Sequence, residues 1–142
     1  MSSQLIFAPI LAHVALVFFL YLLLLKRKLK AVKTTEVDLK ATALNCKAWP
    51  DESVIKCSNN LDNQFEAPIL FYVICAVLYG VQGVNQFTLF LAWTFVFSRY
   101  LHCSIHVGRN YVPYRMRVFA CGIATLVVMS VYAAYRLFTG YL

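Results

Sequence analysis

Residues 5 to 25 read LIFAPILAHVALVFFLYLLLL and run directly into Lys26-Arg27-Lys28-Leu29-Lys30. These 21 residues carry no charge, and a helix of about 20 apolar residues crosses a hydrocarbon core roughly 30 Å thick. A cleavable leader is the competing reading of such a run. It needs a basic segment before the apolar one and a small-residue cleavage site after it, and neither is present. The stretch therefore reads as a retained first membrane span, ended by a basic cluster.

The rest of the chain follows the same pattern. Of its 142 residues, 61% are apolar and 13% charged, with a mean hydropathy of +0.68, which excludes an ordinary soluble domain and leaves room for one domain only. Four spans are expected, at about 4–26, 62–84, 86–107 and 113–137, with a cytoplasmic loop at about 27–60. The turns around Gly80, Gly83 and Asn85 and around Gly108, Asn110 and Pro113 are short enough to make their flanking spans antiparallel neighbours. The expected fold is an all-α integral membrane four-helix bundle, a single domain over 1–142. Pro68, which removes a backbone donor near the start of the second span, is expected to bend or loosen it.

All but two of the ionisable residues in or beside these spans fall at alternate ends, hence on one side of the membrane. Eight Lys and Arg lie in the connection between spans one and two, and Arg109, Arg115 and Arg117 lie in or beside that between spans three and four. Basic residues in short loops mark the cytoplasmic side, so both termini should face away from the cytosol. The net charge of +7 then reflects topology and contact with membrane lipid headgroups; no nucleic-acid partner is expected.

Polar groups inside spans are costly and normally pair or line a wet cavity. Asn63 and Glu66 are three residues apart, as are Arg99 and His102, and His106 follows His102 by four, so each set shares a helix face. Glu66 and Arg99 come within reach of an interhelical ion pair, either a structural clamp or part of a pocket. The cysteines, Cys46, Cys57, Cys75, Cys103 and Cys121, have no paired or metal-ligand spacing and read as packing residues. His13 reads as a hydrogen-bonded core or interface histidine.

Asn63-Gln64-Phe65-Glu66-Ala67-Pro68, the run Arg99-Tyr-Leu-His102-Cys-Ser-Ile-His106-Val-Gly108-Arg109-Asn110, and Arg115 after the short turn together resemble the membrane-associated proteins in eicosanoid and glutathione metabolism (the MAPEG family), and in particular a bacterial branch similar to microsomal glutathione transferases. The resemblance covers nearly the whole chain. It implies a homotrimer in a bacterial inner membrane, with glutathione as cosubstrate held between protomers near the cytoplasmic end. It also implies that Asn63, Glu66, Arg99, His102 and His106 bind glutathione, with Arg27 as a further carboxylate contact, and that Arg115 is the catalytic group that stabilises the thiolate. The chain departs from that pattern at Asn59 and Asp62, where relatives carry basic residues, at Met116, where some carry Ser, and at Phe119, where some carry Tyr.

Residue chemistry agrees with this assignment. Glutathione offers two carboxylates to arginine forks and one ammonium to a carboxylate such as Glu66, and a thiol with a pKa of about 8.5 is pushed toward thiolate by a nearby guanidinium. The implied activity is conjugation or peroxide reduction acting on lipophilic small molecules. Two other classes compete. A haem carrier would need histidines from two facing helices at one depth, whereas His102 and His106 share a helix and His13 lies near the middle of span one. A non-enzymatic lipid-binding or transport protein would need the polar path to continue toward the far side, where the spans offer few polar groups. The aromatic residues around the cluster fit an interfacial belt.

Overall fold

The computed structural model describes residues 2–140, with all their side chains except that of Cys46. It is 84% helix and has no strand among the described residues. After a short 3-10 turn at Ser3–Ile6, the helices are α1 (Phe7–Thr34), α2 (Leu39–Leu44), α3 (Glu52–Asn63), α4 (Ala67–Gly80), α5 (Gln86–Val107) and α6 (Val112–Thr139).

Three helical stretches, Ser3–Thr34, Glu52–Gly80 and Val112–Thr139, are long and apolar enough to cross a membrane. The second is α3 and α4 taken together. The third expected span coincides with α5, whose 22 residues are interrupted by Ser98, Arg99, His102, Ser104 and His106 and do not reach the same apolarity.

The expected loop at 27–60 is instead largely helical. Helix α1 continues through its basic cluster to Thr34. Helix α3 then begins at Asp51, whose carboxylate accepts the Ser53 amide at 2.8 Å, an N-cap that satisfies a free backbone donor. The Ser53 side chain and amide hold the Asp51 carboxyl below its ordinary range. Buried Val54, Cys57 and Leu61 recur at helical spacing and seat α3 against the cytoplasmic half of α1. Hydropathy alone passes over such an amphipathic helix because its polar face dilutes the apolar one.

Between α3 and α4 the helix breaks at Gln64, Phe65 and Glu66, where Pro68 in the first turn of α4 can neither donate a helical hydrogen bond nor sit in an unbroken helix. This is the loosening expected from the sequence. The break turns Gln64 inward and leaves Phe65 and Glu66 exposed.

The remaining contacts follow from short turns. Asn85 and Thr88 form a reciprocal capping box at the start of α5, which satisfies two orphan amides. Pro113 opens α6, a position that tolerates a missing donor. Helix α5 packs along α6, and α4 lies against α6. Their shared core includes Leu78, Ala92, Leu126 and Met129, with Phe71 and Phe95 stacked at 4.6 Å. Cys57, Cys75, Cys103 and Cys121 are free; the expectation for Cys46 falls on a side chain outside those described.

Candidate functional site

Asn63, His102, Arg115, Met116, Phe119 and Ala120 line one cleft of about 310 Å³. Three expected site residues meet there, one from the end of α3, one from α5 and one from α6. Arg115 is oriented by its own turn: Asn110 adopts a left-handed backbone with φ of 52°, a conformation Asn tolerates, and its side-chain oxygen accepts from Arg115 Nη1 at 2.8 Å. The Asn110 amide meanwhile donates to the Ile105 carbonyl at 2.8 Å, which closes the end of α5. Arg115 is half-buried, with Met116 and Ala120 exposed beside it.

Other expected residues sit elsewhere. Glu66 is exposed and does not line the cleft. Its anticipated pair with Arg99 does not form; the ion pair present among the described residues joins Lys56 to Glu52 at 2.9 Å. The reason is the helix break, which directs Gln64 into the bundle in place of Glu66. Arg27 Nη1 donates to the Ser53 carbonyl at 2.7 Å and its Nη2 makes a longer contact, 3.4 Å, to the Val107 carbonyl, so it ties helix ends together. His106 is buried edge-on to His102, with ring centroids 5.6 Å apart.

Arg99 is the most unusual group in the protein. It is 0% exposed, and none of its three nitrogens has a hydrogen-bond partner among the described residues. The guanidinium instead lies between two rings, 5.2 Å from the centre of Phe95 and 5.1 Å from that of Phe119. Leaving a buried charge uncompensated costs about 3–5 kcal/mol, and cation–π contacts at about 0.5–2 kcal/mol each offset part of that. Gly122 makes the space: a Cβ there would stand 2.7 Å from Arg99 Nη2 and 2.8 Å from Ser98 Oγ. The sequence beyond Glu66 contains no Asp or Glu at all, so α4, α5 and α6 cannot supply a counter-ion.

One further polar cluster escaped the sequence reading. His13 is fully buried and was expected at a different depth from the α5 histidines, yet its Nε2 donates to Gln64 Oε1 at 3.1 Å and its Nδ1 accepts from the Tyr72 hydroxyl at 2.6 Å. Gln64 Nε2 in turn donates to the Asn60 carbonyl at 3.1 Å and to Asn60 Oδ1 at 3.2 Å. The network is the neutral Nε2–H tautomer bridging two partners. Gln64 is the residue after Asn63, so α1 braces the helix break at the cleft. The glutamine inside the Asn-x-x-Glu run was the available signal.

Helices of membrane-spanning length, packed around a cleft that joins polar and cationic side chains from three of them, define a membrane protein with a polar site among its helices. A family model, that of the MAPEG family, matches residues 6–135, and the chain belongs to that family. No curated protein and no solved structure matches the chain.

Proposed function

We propose that the cleft between Asn63, His102 and Arg115 binds glutathione, and that the protein uses it as a transferase or peroxidase toward lipophilic electrophiles or hydroperoxides. The carrying observation is that these three side chains, separated widely in sequence, line one cleft. Arg115 favours the thiolate of the bound thiol and is already held by Asn110. Asn63 offers both a donor and an acceptor to the peptide portion, and His102 borders the same space.

Glu66 is exposed in the single chain and is free to meet the glutathione ammonium where two protomers of a homotrimer adjoin. Arg27 is occupied with backbone carbonyls and drops out of the proposed binding set. Arg99 lies behind Phe119, so it does not touch glutathione in this reading. Family membership supports a role connected with glutathione or eicosanoids. The four long helical stretches serve as four spans, with the Lys26 to Lys33 cluster and the 108–113 turn on the cytoplasmic side of a bacterial inner membrane.

Isothermal titration of glutathione into the detergent-purified protein tests the proposal. Saturable heat is expected in the parent, with affinity reduced about tenfold or more by Arg115→Ala or Asn63→Ala, the scale of one lost charge-assisted hydrogen bond. Absence of heat in the parent removes the function while leaving the fold untouched.

A further inference from the structure

The guanidinium of Arg99 is sealed inside one chain, so a neighbouring protomer cannot reach it to neutralise it. Its five N–H donors are arranged in a planar fork, the shape that pairs with a planar carboxylate through two parallel hydrogen bonds. The phenyl ring of Phe119 is the shared wall: one side faces the guanidinium at 5.1 Å, and the same residue lines the Asn63–His102–Arg115 cleft. The other residues of that wall, Met116 and Ala120, are apolar and exposed on α6. An anion that arrives by this route must therefore be carried on an apolar body able to pass between rings and aliphatic side chains. Inorganic anions and compact hydrophilic acids are poorly matched to such a passage.

We infer that Arg99 is the anion-binding group for a lipophilic carboxylic acid, which enters from the cleft by displacing Phe119 and places its carboxylate between Phe95 and α6. This rests on the reading of the cleft as the place where the lipophilic cosubstrate meets glutathione, and it names the class of that cosubstrate as a long-chain acid. Arg99 then selects the substrate by its charged end, while Arg115 acts on the thiol.

The test uses a fluorescent polyunsaturated C18 acid and its methyl ester as probes, titrated into the full-length protein in non-ionic detergent, with glutathione binding measured on the same samples. The parent is expected to bind the acid at least about tenfold more tightly than the ester. Arg99→Gln should bring the two to equal affinity without changing glutathione affinity. Arg115→Ala should keep the preference for the acid, and Phe119→Ala should speed association of the acid. Equal affinity of acid and ester in the parent overturns the inference, as does loss of the preference in Arg115→Ala alone or an unchanged association rate in Phe119→Ala.

Should Arg99→Gln fail to fold, the parent still decides. A fatty acid with a photoreactive diazirine close to its carboxylate should label the segment from residue 95 to residue 122; labelling confined to α1 and α4 overturns the assignment. Acid preference without glutathione binding removes the transferase reading and leaves this site standing. Glutathione binding without acid preference does the reverse.

Discussion

His13 shows how one side chain can organise a site it does not touch. Both of its ring nitrogens are bonded, to Gln64 and Tyr72, and the residues it holds flank Asn63 and the helix break. Replacing it by Leu strands a buried amide oxygen and a hydroxyl, each of which costs about 1–3 kcal/mol when unsatisfied. Tyr72→Phe removes one hydrogen bond and strands only the imidazole nitrogen. Thermal unfolding in detergent should therefore rank His13→Leu as clearly more destabilising than Tyr72→Phe. An equal effect of the two would show that Gln64 is held by Asn60 alone. The sequence marked His13 as a bonded core residue but not its partners, because periodicity reports the face on which a residue sits and not the element opposite it.

At the level of elements, most of the fold was legible and most of the geometry was not. Span lengths, the two tight turns and the disruption at Pro68 all follow from local chemistry: apolar run length, Asn and Gly at turns, and a missing backbone donor. Helix α3 was hidden because its apolar face occupies only every third or fourth position. The Glu66–Arg99 pair was expected from helix-face spacing, yet the break at Gln64 rotates Glu66 outward, and a rotation of that kind depends on tertiary packing. Gly122 was equally silent, being one glycine in a long apolar helix. The close approach of α5 and α6 gives it meaning. Gly122→Ala should gain up to about 1 kcal/mol of helix propensity but force a methyl group against a caged guanidinium and against Ser98, whose hydroxyl is tied to the Phe95 carbonyl at 2.7 Å. Overpacking of this kind costs about 1–3 kcal/mol, so the variant should melt below the parent. A variant as stable as the parent would mean that Arg99 yields freely.

For the whole molecule, the proposed assembly is the property most open to direct measurement. A single chain leaves Phe18, Phe19, Leu22, Phe90, Phe97, Val131 and Phe138 broadly exposed, surface that either faces lipid or meets another protomer. Native mass spectrometry from detergent should give three chains of 16.2 kDa together, and dominance of a monomer would deprive Glu66 of the subunit junction at which it is proposed to act. The cleft was legible in the sequence as a set of residue types, since Asn63, His102 and Arg115 were each selected before any coordinates. Its partition into an open part beside Arg115 and a closed part around Arg99 was not, because Phe119 divides the two and an aromatic residue in an apolar helix carries no sequence mark of being a partition.

The helix ends are fastened unevenly. Arg27 clasps α1 to the start of α3 and the end of α5, whereas α6 is anchored at its opposite end, where Asn85 Nδ2 donates to the Tyr132 hydroxyl at 2.6 Å and Arg136 Nη2 to the Gln82 carbonyl at 3.3 Å. Near Phe119 the bond recorded for α6 is the short-range one from Arg115 to Asn110. The last helix thus resembles a door leaf: its pivot lies at Tyr132, its free edge lies at Met116, and the largest swing falls where the seam with α5 must part to admit a guest.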